Sequence, residues 1–148
     1  MAHKKYLSQH FGTSDSWKLD HYAKRSGYVQ ARRLLSGSKT SEVIQAVKDS
    51  RLRGLGGAGF YTADKWGFLP KDSKKPRYLL VNADEGEAGT IKDRYIMTYE
   101  PHRLIEGILI ACYAIQSHKC IIYIRGEYVE PYERLKHALE EAYAKSIL

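Results

Sequence analysis

The residues Gly54-Leu55-Gly56-Gly57-Ala58-Gly59 match the spacing G-x-G-x-x-G. Glycines so placed adopt positive φ, let a backbone approach a ligand closely, and aim N–H groups at phosphate oxygens. A dinucleotide fingerprint follows a strand and opens a helix. Here Ser41–Asp49 reads as a helix, so a tight helix-to-helix turn stands as the other reading. Four glycines in six residues exceed what such a turn needs and favour ligand contact. Just downstream, Lys65 can balance a phosphate or a reduced flavin. Phe60 and Trp66 can stack on a flat ring or simply fill a core.

A second constellation is acidic. Asn82, Asp84, Glu85 and Glu87 follow an apolar run that reads as a parallel strand. Ligands of open α/β sheets bind at the carboxyl ends of the strands. Carboxylates there can accept ribose hydroxyls or bind a hard cation, although the spacing matches no calcium loop. A solvated acidic turn is the bland alternative. Lys92-Asp93-Arg94 can pair with these acids. The histidines at 3, 10, 21, 102, 118 and 137 show no metal-ligand spacing and no neighbouring nucleophile, and read as surface or helix-end residues. Cys112 lies on an apolar helix face and reads as packing. With Cys120 it makes neither a disulfide framework nor a four-thiolate site.

Elements must hold these residues in place. Trp17, Leu19, Tyr22 and then Tyr28, Leu34, Leu35 suggest short helical pieces broken at Gly27 and Gly37, within a polar lead-in over residues 1–40. A helix beginning at Ser41, capped by Thr40 or Ser41, presents Val43, Ile44 and Val47. Tyr61–Phe68 forms a helical turn closed by Pro70, and residues 71–76 an exposed loop. Arg77–Ala83 and Cys120–Ile124 read as buried strands. Pro101 opens a largely buried helix through Ile115, and Pro131 a last helix with a stripe of Leu135, Ala138, Leu139 and Ala142. The order strand, helix, strand, helix is that of a parallel α/β layer. Two strands alone make a poor sheet, so more must come from the N-terminal region or from a larger assembly.

The chain has 148 residues, of which 43% are hydrophobic and 28% charged, which suits one modest globular domain and excludes wholesale disorder. No apolar run reaches the roughly 20 residues of a membrane helix, and the N-terminus lacks a signal-peptide core. Direct membrane insertion is not expected. Of the net charge of +7, +5 falls in residues 1–50, +2 in 51–100 and none in 101–148. A basic N-terminal third can bind nucleic acid or anionic lipid, or stand as a solvated surface or the rim of a protein interface; no groove-reading motif accompanies it, so nucleic acid is not expected.

In order along the chain stand Leu52–Phe60, Lys65-Trp66, Asn82–Glu87, Lys92-Asp93-Arg94, Pro101-His102, Leu104–Gly107 and Tyr123–Tyr128. This series resembles the flavin-bearing, NADH-oxidising subunit (51 kDa, F-type) of respiratory NADH:quinone oxidoreductase, complex I, over about residues 45–148. The resemblance implies an α/β fold with a Rossmann-like partial parallel sheet flanked by helices. It implies an FMN/NADH-binding domain over residues 41–148, truncated at the C-terminus, after a lead-in of 1–40. Gly54–Ala63 would match the family's glycine-rich nucleotide loop, with Gly54, Gly56, Gly57, Ala58 and Gly59 binding the cofactor, and Phe60 would stack on the dinucleotide. Lys65, Asn82 and Asp84 would contact FMN, and Glu85 and Glu87 would line the NADH pocket. The implied chemistry is hydride transfer from nicotinamide C4 to flavin N5, then single electrons to a 4Fe-4S cluster, with no catalytic acid or base and no cluster or other metal ligand in this chain. The implied partners are NADH and other subunits of the module, in the cytoplasm and peripheral to the inner membrane. The flavin subunit of a soluble NAD-linked hydrogenase or formate dehydrogenase shares these motifs, and a non-catalytic remnant or assembly module is a third possibility. Leu55, Tyr61 and Ala88 depart from the Arg, Pro and Pro usual in the family.

Overall fold

The computed structural model describes residues 5–70 and 72–148. His3, and Lys71 of the expected 71–76 loop, lie outside them. The described residues form α1 (Leu19–Lys24), α2 (Val29–Gly37), α3 (Thr40–Asp49), α4 (Thr62–Gly67), β1 (Tyr78–Ala83), α5 (Lys92–Tyr99), α6 (Pro101–Ile115), β2 (Lys119–Ile124) and α7 (Val129–Ala144). β1 and β2 pair as a parallel sheet, joined through α5 and α6, so the architecture is α/β with helices flanking a partial sheet. The polar N-terminal region supplies helices and no strand among the described residues.

Two compact units are interleaved along the chain. The first comprises Met1–Val29, Leu80–Gly107 and Ile122–Leu148. In it α1 and α5 pack on α7. Leu135, Ala138 and Ala142 recur at helical spacing and are buried, and the two alanines expose nothing. Small side chains at such a seam let a neighbouring helix come close. Leu19, Tyr22 and Tyr28 are also buried, so the part of the lead-in that carries them belongs to this core. The second unit comprises Gln30–Leu79 and Ile108–Ile121. There α3 packs against α4, with Val43 and Ala63 buried. Arg77 donates to the carbonyls of Ile115 (3.0 Å) and Pro70 (3.0 Å), tying three segments together.

Four expectations change. The strands are not buried on both faces: Tyr78, Leu80, Ile121 and Tyr123 alternate with covered residues and are 49–71% exposed. A run such as Tyr-Leu-Leu-Val reads as buried from its composition, but nothing among the described residues covers that face. The cap of α3 is neither Thr40 nor Ser41. Lys39 holds that position, and the Glu42 carboxylate accepts its N–H at 3.2 Å. His102 takes the helix-end place expected of it, in the first turn of α6, but is not at the surface, being only 1% exposed. The basic excess is not N-terminal as such. Counted by sequence, the second unit holds twelve Lys and Arg against four Asp and Glu, a net charge of +8, while the first unit carries −1.

Candidate functional site

The glycine loop runs between α3 and α4 in the second unit. Its neck is closed by backbone pairing: Gly54 N–H donates to Phe60 O and Thr62 N–H to Leu52 O, both at 2.9 Å, with an antiparallel bridge between Arg53 and Tyr61. The Arg53 guanidinium lies 4.3 Å over the Tyr61 ring and donates to its hydroxyl at 2.6 Å. Tyr61 therefore acts as a clasp. Beyond the neck the loop is open. Gly57 has φ +104° and Gly59 φ +61°, a region that favours glycine. A Cβ added at Gly56 or Gly57 would meet nothing within 4 Å. The N–H groups of Leu55 to Gly59 take no partner among the described residues. Open space above unpaired N–H groups fits an anionic phosphate.

Aromatic and cationic groups flank this loop. Phe60 is 49% exposed and lies 5.6 Å from the ring of Phe68, which is also exposed. Phe60 is therefore not core. Trp66 is half-buried on α4, and Lys65 is exposed there without an ion-pair partner among the described residues.

The acidic loop lies in the first unit, directly after β1. Asn82 turns it by accepting the Asp84 N–H on its side-chain oxygen at 2.8 Å. Asp84 and Glu87 are exposed, whereas Glu85 is buried at 2%. The reason is local. α5 starts after Ile91, which has no side chain able to cap it. The Glu85 carboxylate takes that place, accepting the N–H of Asp93 at 3.0 Å and of Arg94 at 3.1 Å. The Tyr128 hydroxyl donates to it at 3.0 Å, and the Lys92 ammonium stands 3.6 Å away. Arg125 donates to the Glu85 carbonyl at 2.7 Å and pairs with Glu127 at 3.0 Å. Burial works to raise the Glu85 pKa, but the two backbone N–H groups, Tyr128 and Lys92 outweigh it and hold the carboxyl below its usual range.

The acidic residues thus divide into one inward-facing anchor, Glu85, and two outward-facing groups, Asp84 and Glu87. Tyr128 and Arg125 are the residues that sequence reasoning passed over. They stand at the end of β2, some 40 positions from Glu85, and only the run Arg125-Gly126-Glu127-Tyr128 hinted at them. Beside them lies a cleft of about 340 Å³ lined by Arg94, Arg125, Glu127, Tyr128 and the first residues of α7. The cysteines are half-buried, and burial pushes the Cys120 thiol up to about 11.

Comparison with known proteins accounts for the order of these motifs. The family model described as the Nuo51 FMN-binding domain matches residues 47–148. The chain is similar to the F-type NADH-quinone oxidoreductase subunit of Streptomyces coelicolor, 49% identical over 96% of this chain and 31% of that protein. The corresponding protein of Rickettsia bellii is 57% identical over 72% of this chain and 25% of that protein. The chain thus spans a quarter to a third of the length of these relatives. Among solved structures, an NAD+-reducing [NiFe]-hydrogenase in the air-oxidised state superimposes over 97% of this chain and 23% of that one, at TM-score 0.72 and 36% identity. Its H2-reduced form gives TM-score 0.68 and 43% identity over 74% of this chain and 19% of that one. The open glycine loop and the anchored acidic loop both lie inside the matched region, and the chain belongs to the Nuo51 FMN-binding domain family.

Proposed function

We propose that this chain forms the front part of an NADH-oxidising flavoprotein subunit, with residues 1–40 as a lead-in and residues 41–148 as an α/β domain for FMN and NADH. The open glycine loop, with unpaired N–H groups from Leu55 to Gly59, carries the reading. Gly54 shapes the neck, and Gly56, Gly57, Ala58 and Gly59 present N–H groups to a phosphate. Phe60 offers an exposed ring face to a planar heterocycle, and Lys65 supplies a cation. Asn82 turns the acidic loop, whose Asp84 and Glu87 carboxylates accept hydroxyl or ring N–H donors. Glu85 is a positioning residue that fixes this loop on the start of α5. When bound, FMN supplies hydride acceptance from NADH and release of single electrons. The protein's part is to bind, orient and keep water out. On this reading a 4Fe-4S centre held outside residues 1–148 takes those electrons, and other subunits of the module are the partners. Among the described residues no helix is long and apolar enough to cross a membrane. A peripheral place on the cytoplasmic side of the inner membrane follows from the complex I reading. The hydrogenase neighbours support a second reading, the flavin subunit of a soluble NAD-linked enzyme.

Flavin binding tests the proposal. Purified chain titrated with FMN should quench flavin fluorescence. Gly57→Ala, which cannot hold φ +104° without strain, should weaken binding by about tenfold, or about 1.4 kcal/mol. Equal affinity of the two proteins removes the loop from the site. Copurification with quinone-reducing or with hydrogenase subunits separates the two readings.

A further inference from the structure

All ion pairs between described residues fall in the first unit. Arg25–Glu100, Lys92–Asp93, Arg103–Glu100, Arg125–Glu127 and Arg134–Glu130 lie there, and none lies among the described residues of the second unit. Yet the second unit holds the net charge of +8. Half of it falls in residues 30–53, where Arg32, Arg33, Lys39, Lys48, Arg51 and Arg53 are all exposed. Only two acids accompany them, and both are spent locally. Glu42 accepts the Lys39 N–H, and Asp49 accepts the side-chain amide of Gln45 at 2.7 Å. Neither neutralises a cation. A solvated surface normally intersperses both signs, and unpaired like charges repel one another unless something covers them.

We propose that α2, α3 and the segment leading into the glycine loop form a docking face for a carboxylate-rich surface of another protein subunit; this rests on the reading of the chain as part of a multi-subunit enzyme. Leu35 and Leu52 are 44% and 55% exposed among these cations, which suits a protein interface with apolar contacts inside a charged rim. Residues 30–53 contain no Phe, Trp or Tyr. Single-stranded nucleic acid is held by aromatic stacking as well as charge, so this face lacks half of that chemistry. Facing carboxylates would relieve the repulsion and raise the association rate at low salt.

The full chain, labelled with a fluorophore, is titrated at low salt with poly-L-glutamate, with oligo(dT) of matched charge, and with phosphatidylglycerol vesicles. Poly-L-glutamate should bind best. R32E/R33E/K48E should weaken it at least tenfold, and the milder R32Q/R33Q/K48Q should weaken it less. K24E/K136E/K145E, on exposed cations of the first unit, should change it less than twofold. Carbodiimide coupling to poly-L-glutamate should mark Lys39 and Lys48 ahead of Lys24, Lys136 and Lys145. Equal losses in the two reversal variants, or tighter binding of oligo(dT) or of vesicles, overturn the docking face. FMN binding is measured on the same samples. Flavin binding without poly-L-glutamate binding sinks this inference alone, and the converse sinks only the flavin reading.

Discussion

Glu85 shows how one buried carboxylate can hold a loop on the start of a helix. It replaces the cap that Ile91 cannot provide, and its two N–H partners, Tyr128 and Lys92 together satisfy a buried charge. Glu85→Gln keeps the shape and one acceptor but removes the charge. The loss should be about 1–3 kcal/mol of stability at pH 7, the usual cost of leaving charge-assisted partners unmet. The pH dependence has a definite sign. The folded pKa is depressed, so the stabilisation is complete above the unfolded carboxyl value of about 4.3 and is lost as pH falls through the lower folded value. Urea unfolding of wild type and Glu85→Gln at pH 7 and pH 3 measures this. The gap between them should narrow at the lower pH, and a gap of constant size would show that charge is not the cause.

At the scale of elements, the helices were legible because their apolar residues recur at helical spacing. Val43 with Val47, and Leu135 with Ala138 and Ala142, mark faces that are covered. The uncovered face of the sheet was not legible. Tyr78, Leu80, Ile121 and Tyr123 look like core residues whatever lies above them, because strand composition reports tolerance of burial rather than burial itself. The glycine loop was legible as a loop, but its clasp, Arg53 on Tyr61, was not, since nothing in the two side chains announces the pairing. The start of α6 at Pro101 was legible, but the surroundings of His102 in its first turn were not. His102 is held between the Tyr28 hydroxyl at 2.8 Å on Nδ1 and Glu141 of α7 at 3.0 Å on Nε2. Burial lowers its pKa, overcoming the pull of the Glu141 carboxylate. The native state therefore binds this proton less readily than the unfolded chain. Stability from neutral His102 is full above the unfolded value of about 6.5 and declines as pH falls below it, levelling off under the folded value. His102→Gln should remove its share of that slope. Thermal unfolding of both proteins from pH 7.5 to pH 5 should show a steeper fall for wild type, and parallel curves would exclude His102 as the sensitive group.

For the molecule as a whole, charge separates what composition blends. A net charge of +7 divides into a second unit at +8 whose described cations make no ion pair and a first unit at −1 that contains every ion pair among the described residues. Salt must then act on the two in different ways. Raising ionic strength from about 0.01 M to about 0.15 M shortens the Debye length from about 30 Å to about 8 Å. In the second unit this relieves repulsion between exposed cations and should slow local opening. In the first unit the Arg25–Glu100 pair joins a carboxylate only 1% exposed, so screening reaches it poorly, while the exposed Lys18–Asp15 pair is worth little in any case. Hydrogen exchange read by mass spectrometry should show slower exchange over residues 30–53 as salt rises, with α5 and the first turns of α6 almost unchanged. A uniform slowing across both units would mean that salt acts by general exclusion from the surface. A response confined to residues 30–53 would locate the repulsion in the same segment that is proposed to meet a carboxylate-rich partner.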